Sequence, residues 1–266
     1  MYICPLCQSP LTADTMGYAC ENRHRFDRAK EGYVNLLPVQ HKGSKEPGDS
    51  REMLQARRLF LDEGHYQPLR DRVAALLEEY LPSATPATIV DLGCGEGYYT
   101  AAWLTADREV YGLDVSKFAI KSAAKRYPQI HFSVASGYRL PFAAHSLAAI
   151  VRIYAPSKAE ELYRTLSRDG VLITVTPAAR HLYQFKALIY QDVQLHDEQE
   201  ESLAGFECIA DSTLHYPLTL SATAATQLLQ MTPFAWRASE QVWQTIAQSE
   251  NFIVDADFKI RVWRKR

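Results

Sequence analysis

"TIVDLGCGEGYYT", residues 88–100, is the stretch whose reading decides the fold. Thr88, Ile89 and Val90 form a short β-branched run that ends in Asp91. Gly93, Gly95 and Gly97 follow, and a helical pattern continues through Ala101, Ala102 and Leu104. Strand, glycine turn and helix in this order open a doubly wound α/β domain. Glycines in such a turn accept positive φ and let the backbone approach a ligand closely. The next strand, "EVYGLDVS" (109–116), carries Asp114, nineteen residues beyond Gly95. An acid at that tip can accept hydrogen bonds from both ribose hydroxyls of an adenosine cofactor. The loop lacks the GK[ST] ending of a P-loop, which argues against a nucleoside triphosphate. NAD is compatible with the spacing, and so is an α/β domain whose loop holds nothing.

Working outward, the chain repeats βα units. "KFAIKSAAKRYP" (117–128) reads as helix, "IHFSVAS" (130–136) as strand and "LAAIVRIYA" (147–155) as a fourth strand. "KAEELYRTL" (158–166) reads as helix with Glu160 and Glu161 on a solvated face, and "GVLITVTP" (170–177) as a fifth strand after an Asp169–Gly170 turn. The D-x-G-x-G-x-G form of the loop resembles the first motif of class I S-adenosylmethionine (SAM) methyltransferases, which are Rossmann-like. In those enzymes the leading acid, here Asp91, faces the cationic amino group at the methionine end. "GYRLPF" (137–142) resembles their adenine loop. "RIYAP" (152–156) stands where they place the acceptor atom. It lacks the Asn/Asp-Pro-Pro-Tyr of enzymes that methylate exocyclic amines, and is compatible with a ring nitrogen. Tyr154 reads either as a substrate contact or as a strand-end aromatic packed on the sheet.

Three of the five cysteines stand near the N-terminus, as Cys4-x2-Cys7, then Cys20-x3-His24. Zinc takes four N/S ligands in a tetrahedron, and a two-residue gap lets two thiolates from one turn reach the same ion. Pro5 and Pro10 stiffen the first knuckle, and Gly17 lies between the halves. With all four positions filled by protein, the expected site is a closed structural Zn2+, one per chain. A module this small cannot bury its own core, so metal would supply much of its folding energy. Residues 25–58 mix basic side chains (Arg25, Arg28, Lys30, Lys42, Lys45, after Arg23) with Phe26 and Tyr33, and 38–50 reads as a polar loop. These charges read either as a solvated surface or as an RNA contact.

Composition bounds the rest. The 266 residues are 47% hydrophobic with a net charge of -2, so any nucleic-acid surface is a local patch. Residues 1–60 carry nine Lys or Arg against seven Asp or Glu, a small N-terminal excess. MYICPLC is no secretory signal, and no window approaches the roughly 18 apolar residues of a membrane span. The expectation is a soluble cytoplasmic protein with no membrane partner.

The zinc-ligand set, "RFDRAKEGYVNLLPVQHK" (25–42), "PGDSREMLQARRLFLDEGHYQPL" (47–69), "DLGCGEGYYT" (91–100), "RIYAP" and "MTPFAWRA" (231–238) occur in that order. Together they resemble the bacterial 23S ribosomal RNA (guanine-N1)-methyltransferase family along essentially the whole chain. The resemblance implies a zinc-ribbon-like module (1–36), a linker and helical segment (37–80) and a SAM-dependent methyltransferase domain (81–266). It implies methylation of N1 of one guanine in a hairpin loop of 23S rRNA, closer to the type acting on the first of two neighbouring guanines, by a homodimer. The cofactor contacts it implies are Tyr66, Asp91, Gly93, Gly95, Tyr98, Tyr99, Thr100 and Asp114, with His181 at the methionine end. His181 also reads as a surface residue at a helix start. Phe234 and Trp236 are candidates to stack on an extruded base and Arg237 to bind phosphate, or these are core aromatics of a late loop. Guanine N1 must lose its proton around the transfer, and no side chain declares itself as the base. The alternatives are a small-molecule SAM methyltransferase and a zinc-dependent RNA-binding protein with an inactive methyltransferase domain.

Overall fold

The computed structural model describes residues 1–41, 50–81, 86–193, 195 and 201–266. Lys42, Lys45 and most of the expected polar loop lie outside the described residues. The chain begins with a small antiparallel sheet, β1 (Thr12–Ala13), β2 (Gly17–Ala19) and β3 (Arg25–Asp27). It then runs through β4 (Val34–Asn35), α1 (Arg51–Asp62), α2 (Gln67–Tyr80), β5 (Ala87–Leu92), β6 (Arg108–Asp114), α3 (Lys117–Arg126) and β7 (His131–Val134). Next come β8 (Leu147–Ile153), α4 (Ala159–Thr165), β9 (Leu166–Pro177), α5 (Tyr183–Ile189) and β10 (Phe206–Leu220). Helices α6 (Ala222–Gln230) and α7 (Glu240–Ala247) precede the last strand, β11 (Phe252–Lys265).

Among the described residues the main sheet has eight strands in the order β10-β11-β9-β8-β5-β6-β7-β4. Strands β9-β8-β5-β6-β7 are parallel, and β11 enters antiparallel between β9 and β10. The order reverses between β5 and β8, which opens a crevice at the carboxyl ends of the strands. This is the expected α/β, Rossmann-like arrangement. Alternate residues face opposite layers, as a strand requires. Ile89, Val151 and Ile173 pack with α1, α2, α5, α6 and α7, while Val90, Leu92, Ile150 and Leu172 face the other side.

The zinc module covers part of that other side. Tyr2, Cys4, Leu11 and Cys20 share a buried cluster with Val90, Leu92, Tyr111 and Leu113. The Ile3 amide donates to the Pro141 carbonyl at 2.9 Å, and the Tyr2 ring sits 5.3 Å from Tyr111 and 5.2 Å from Phe142. The module therefore borrows a core from the larger domain. Its chain continues into β4, which adds to the sheet edge parallel to β7.

Some local expectations change. The segment after the glycine loop is a 3-10 turn, Thr100–Trp103, in place of a longer helix. In a 3-10 turn residues i and i+3 eclipse, which buries Thr100 and Trp103 together. Asp169 and Gly170 lie within β9, where a register shift against β8 accommodates them. Glu161 is no solvated acid: it accepts the Leu140 amide at 2.7 Å and pairs with Arg164 at 2.9 Å. Ser50 caps α1 by accepting the Met53 amide at 3.2 Å, a contact worth about 1 kcal/mol.

Candidate active site and metal centre

A cleft of about 740 Å³ opens over the carboxyl ends of β5, β6, β8 and β9. Its floor is the glycine loop. Gly93 adopts φ +73°, and a Cβ there would lie 2.6 Å from the Ala155 Cβ, so the tip of β8 can close over the loop only above a glycine. A Cβ on Gly95 would meet no heavy atom within 4 Å, which leaves the backbone facing open space. The Asp114 carboxylate accepts the Gly95 amide at 3.0 Å and the Ser116 amide at 2.8 Å, tying the tip of β6 to the loop.

Asp91 is 2% exposed and accepts the Thr100 hydroxyl at 2.6 Å. Burial is the main cause that pushes its carboxyl up to about 7; the Thr100 hydroxyl opposes this and the nearby Asp114 charge adds to it. A buried carboxylate of this kind favours a cation beside it. The Tyr98 hydroxyl is buried without a hydrogen-bond partner while its residue lines the cleft, a polar atom that a ligand would satisfy. These features fit a nucleoside with a cationic tail.

The far wall is aromatic. Tyr66, at the start of α2, packs edge-on against Phe60 and Phe258. Tyr99, Tyr154, His181 and Phe234 complete that wall. Tyr154 holds φ +56°, a rare conformation for a bulky residue. Its hydroxyl lies 3.4 Å from His181 Nε2.

In the N-terminal module, the ligand atoms of Cys4, Cys7, Cys20 and His24 all lie within 4.8 Å of one another. Cys7 Sγ to Cys20 Sγ is 3.7 Å, and His24 Nδ1 is 3.4 Å from Cys4 Sγ and 3.5 Å from Cys20 Sγ. A tetrahedral zinc with Zn–S near 2.3 Å requires edges of about 3.5–3.8 Å, and these three separations match it to about 0.1 Å. The ligands come from the turn before β1 and the turn between β2 and β3.

Residues 2–45 match the family model described as RlmA, N-terminal, and residues 89–170 match that of a methyltransferase domain. A Streptomyces fradiae 23S rRNA (guanine(748)-N(1))-methyltransferase is 34% identical over 88% of this chain and 85% of its own. Candidate 23S rRNA (guanine-N(1)-)-methyltransferases of Micromonospora griseorubida and Bacillus subtilis are 33% and 30% identical over 98% and 100% of this chain. The chain belongs to the 23S rRNA (guanine-N1)-methyltransferase family.

In this family member the cleft gathers most of the residues singled out in the sequence. Tyr66, Asp91, Gly93, Gly95, Tyr98, Tyr99, Asp114, Tyr154, His181 and Phe234 line it. Thr100 does not; it reaches the site through Asp91. Trp236, 77% exposed, and the exposed Arg237 also lie outside the lining. The expected adenine loop is divided. Gly137 and Tyr138 line the cleft, while Leu140 and Phe142 turn into the core. Helix α1 supplies lining residues that sequence reasoning missed: Met53, Leu54, Arg57, Arg58 and Leu61. Arg58 pairs with Glu96 of the glycine loop and donates to Ser122 at 2.6 Å, while Arg126 of α3 holds Asp62 at 2.6 Å. The signal available was their helical spacing, at 54, 57, 58 and 61. Among the described residues no helix is long and apolar enough to cross a membrane.

Proposed function

We propose that this chain transfers a methyl group from SAM to N1 of one guanine in a hairpin loop of 23S rRNA. SAM supplies an electrophilic methyl carbon on a sulfonium. The chain's residues hold it. In this reading Asp114 holds the ribose, Gly93 and Gly95 allow close backbone approach, and Asp91 faces the cationic amino group. Tyr66, Tyr98, Tyr99 and His181 form the surrounding wall, and Thr100 acts on the cofactor through Asp91. The transfer is an in-line displacement whose leaving thioether needs no proton, so positioning dominates. The observation that carries this reading is the continuity of the acidic glycine-loop floor with the aromatic mouth at Tyr154 and Phe234. An extruded base can stack there within reach of the methyl group.

The division of the chain follows. Residues 1–36 with zinc grip RNA, 37–80 link and cover the cofactor, and 81–266 carry the transfer. Phe234 is the stacking candidate, with Trp236 and Arg237 outside the cleft as contacts to neighbouring nucleotides. A homodimer forming an RNA cleft, acting in the cytoplasm, belongs to the same proposal. Sedimentation of the purified chain checks the dimer.

The test of function incubates purified protein, labelled SAM and 23S rRNA from a strain lacking the enzyme. Primer extension then maps the stop that N1 methylation imposes on base pairing. Label in 23S rRNA with one new stop in a hairpin loop is expected, and its position identifies the guanine. Label transferred only to a small molecule, or no transfer, overturns the reading.

A further inference from the structure

Among the described residues, the four acids of the cleft are committed elsewhere: Asp91 holds Thr100, Asp114 holds two loop amides, Glu96 pairs with Arg58 and Asp62 with Arg126. Tyr154 is one of the hydroxyl-bearing residues that line the cleft. Its position is built. The Tyr154 amide donates to the Val175 carbonyl at 3.1 Å, and the left-handed backbone there turns the chain over Gly93. His181, 7% exposed, receives the Asp257 amide on Nδ1 at 3.2 Å. A ring nitrogen that accepts from a backbone N–H carries no proton, so the neutral imidazole keeps its proton on Nε2. That proton points to the Tyr154 oxygen at 3.4 Å. Tyr154 accepts from His181, and its own O–H remains to donate to another acceptor.

Guanine presents such an acceptor. N1 carries a proton, and its electron pair is shared with the C6 carbonyl. As that proton leaves to solvent water, negative charge spreads over N1 and O6. The N1 pair forms the new bond to the methyl carbon, and the pair of the broken sulfur–carbon bond stays on sulfur. A donor at O6 lowers the cost of the first event. We infer that Tyr154, oriented by His181, donates its phenol hydrogen bond to O6 of the target guanine and stabilises the charge formed as N1 loses its proton. Tyr154 is thus a catalytic residue that stays protonated throughout, and His181 is a positioning residue. This rests on the functional reading above.

The electrostatics around the Tyr154 hydroxyl agree. Besides His181, the groups that act on it are Tyr66 from the start of α2, Tyr99 from the glycine loop, Tyr216 from β10 and Asp257 from β11. None of them is a cation in this tautomer; Tyr154 is 43% exposed, open to a substrate, and desolvation of its hydroxyl by the cleft wall raises the phenol above its ordinary range, so it serves as a donor and not as a base.

The experiment compares wild type, Tyr154→Phe, His181→Phe and His181→Gln on the mapped RNA hairpin. Loss of one such donor lowers kcat about 100-fold. Tyr154→Phe should show that loss at neutral pH, with a rate that keeps climbing at alkaline pH after wild type has levelled. His181→Phe should show the same profile, and His181→Gln, which keeps an N–H, should recover part of the rate. A binding readout accompanies it, using hairpins with guanine or 2-aminopurine, which lacks O6, at the target. Wild type should prefer guanine and Tyr154→Phe should lose that preference. S-adenosylhomocysteine titrated into Tyr154→Phe by calorimetry should bind as in wild type, which shows an intact cleft. An unchanged profile and preference in Tyr154→Phe, with wild type active, overturns this inference and leaves the functional reading standing. Wild type inactive on 23S rRNA overturns that reading instead.

Discussion

Replacing Asp91 with Asn should make the free protein more stable at alkaline pH and a poorer cofactor binder. Asp91 is raised from 3.8 to about 7 by burial. That difference corresponds to about 4 kcal/mol between its two protonation states. The native state then holds a proton that the unfolded chain releases between these two values. The contribution is complete below pH 3.8 and is lost as pH rises through about 7. Between pH 5 and pH 8 wild type should therefore lose about 3 kcal/mol relative to Asp91→Asn, which has no charge to bury. Urea unfolding of both proteins across that range measures it, and the difference cancels other titrating groups. The expected change in relative midpoint is about 1 M urea. A cationic ligand should reverse the penalty by stabilising the carboxylate, so calorimetry below pH 7 should show proton release on SAM binding to wild type and none with Asp91→Asn. A stability difference flat with pH, or greatest at acid pH, would refute the assignment of Asp91 as a buried charge awaiting a cation.

Gly93→Ala should fold less stably by about 1–3 kcal/mol and displace the β8 tip, because φ is +73° and the added carbon lies 2.6 Å from Ala155; thermal melting and SAM titration check both effects. Removing zinc should lower Tm by about 10 °C, equivalent to ~3 kcal/mol, and also weaken SAM binding, because Cys4 and Cys20 share one buried cluster with the strands that carry Asp91 and Asp114. Chelation followed by melting with and without SAM decides this, and intact SAM affinity in the stripped chain would contradict it. Arg58→Ala should free the nearly buried Glu96, loosen α1 from the glycine loop and cost about 1–3 kcal/mol of stability, with weaker SAM binding by calorimetry and faster amide exchange in α1.

The glycine loop and the metal knuckles were legible because each is local. Within one turn, residue type and spacing set the backbone path and the direction of the ligand atoms. The zinc module was expected to lack a core of its own, but where it finds one is not a local property. Nothing in residues 1–36 announces that Tyr2 will pack on Tyr111 and Phe142, because that contact depends on strands more than a hundred residues away. Thr100 stands in the right motif, yet it faces inward to Asp91. A tight 3-10 turn and a buried Trp103 set its direction, and periodicity alone reads that segment as an ordinary helix.

Sequence by itself thus determined the glycine-loop floor of the cleft, the metal donors and the class of fold, since these are properties of short segments with restricted backbones. Tertiary structure decided the rest of the site. Tyr154 meets His181 across 27 residues, and His181 meets Asp257 across 76. Helix α1 closes one wall because its apolar stripe is buried against α6 and the sheet. Such meetings come from burial and strand order acting over the whole chain, and they alone select which hydroxyl faces the acceptor and which proton His181 keeps.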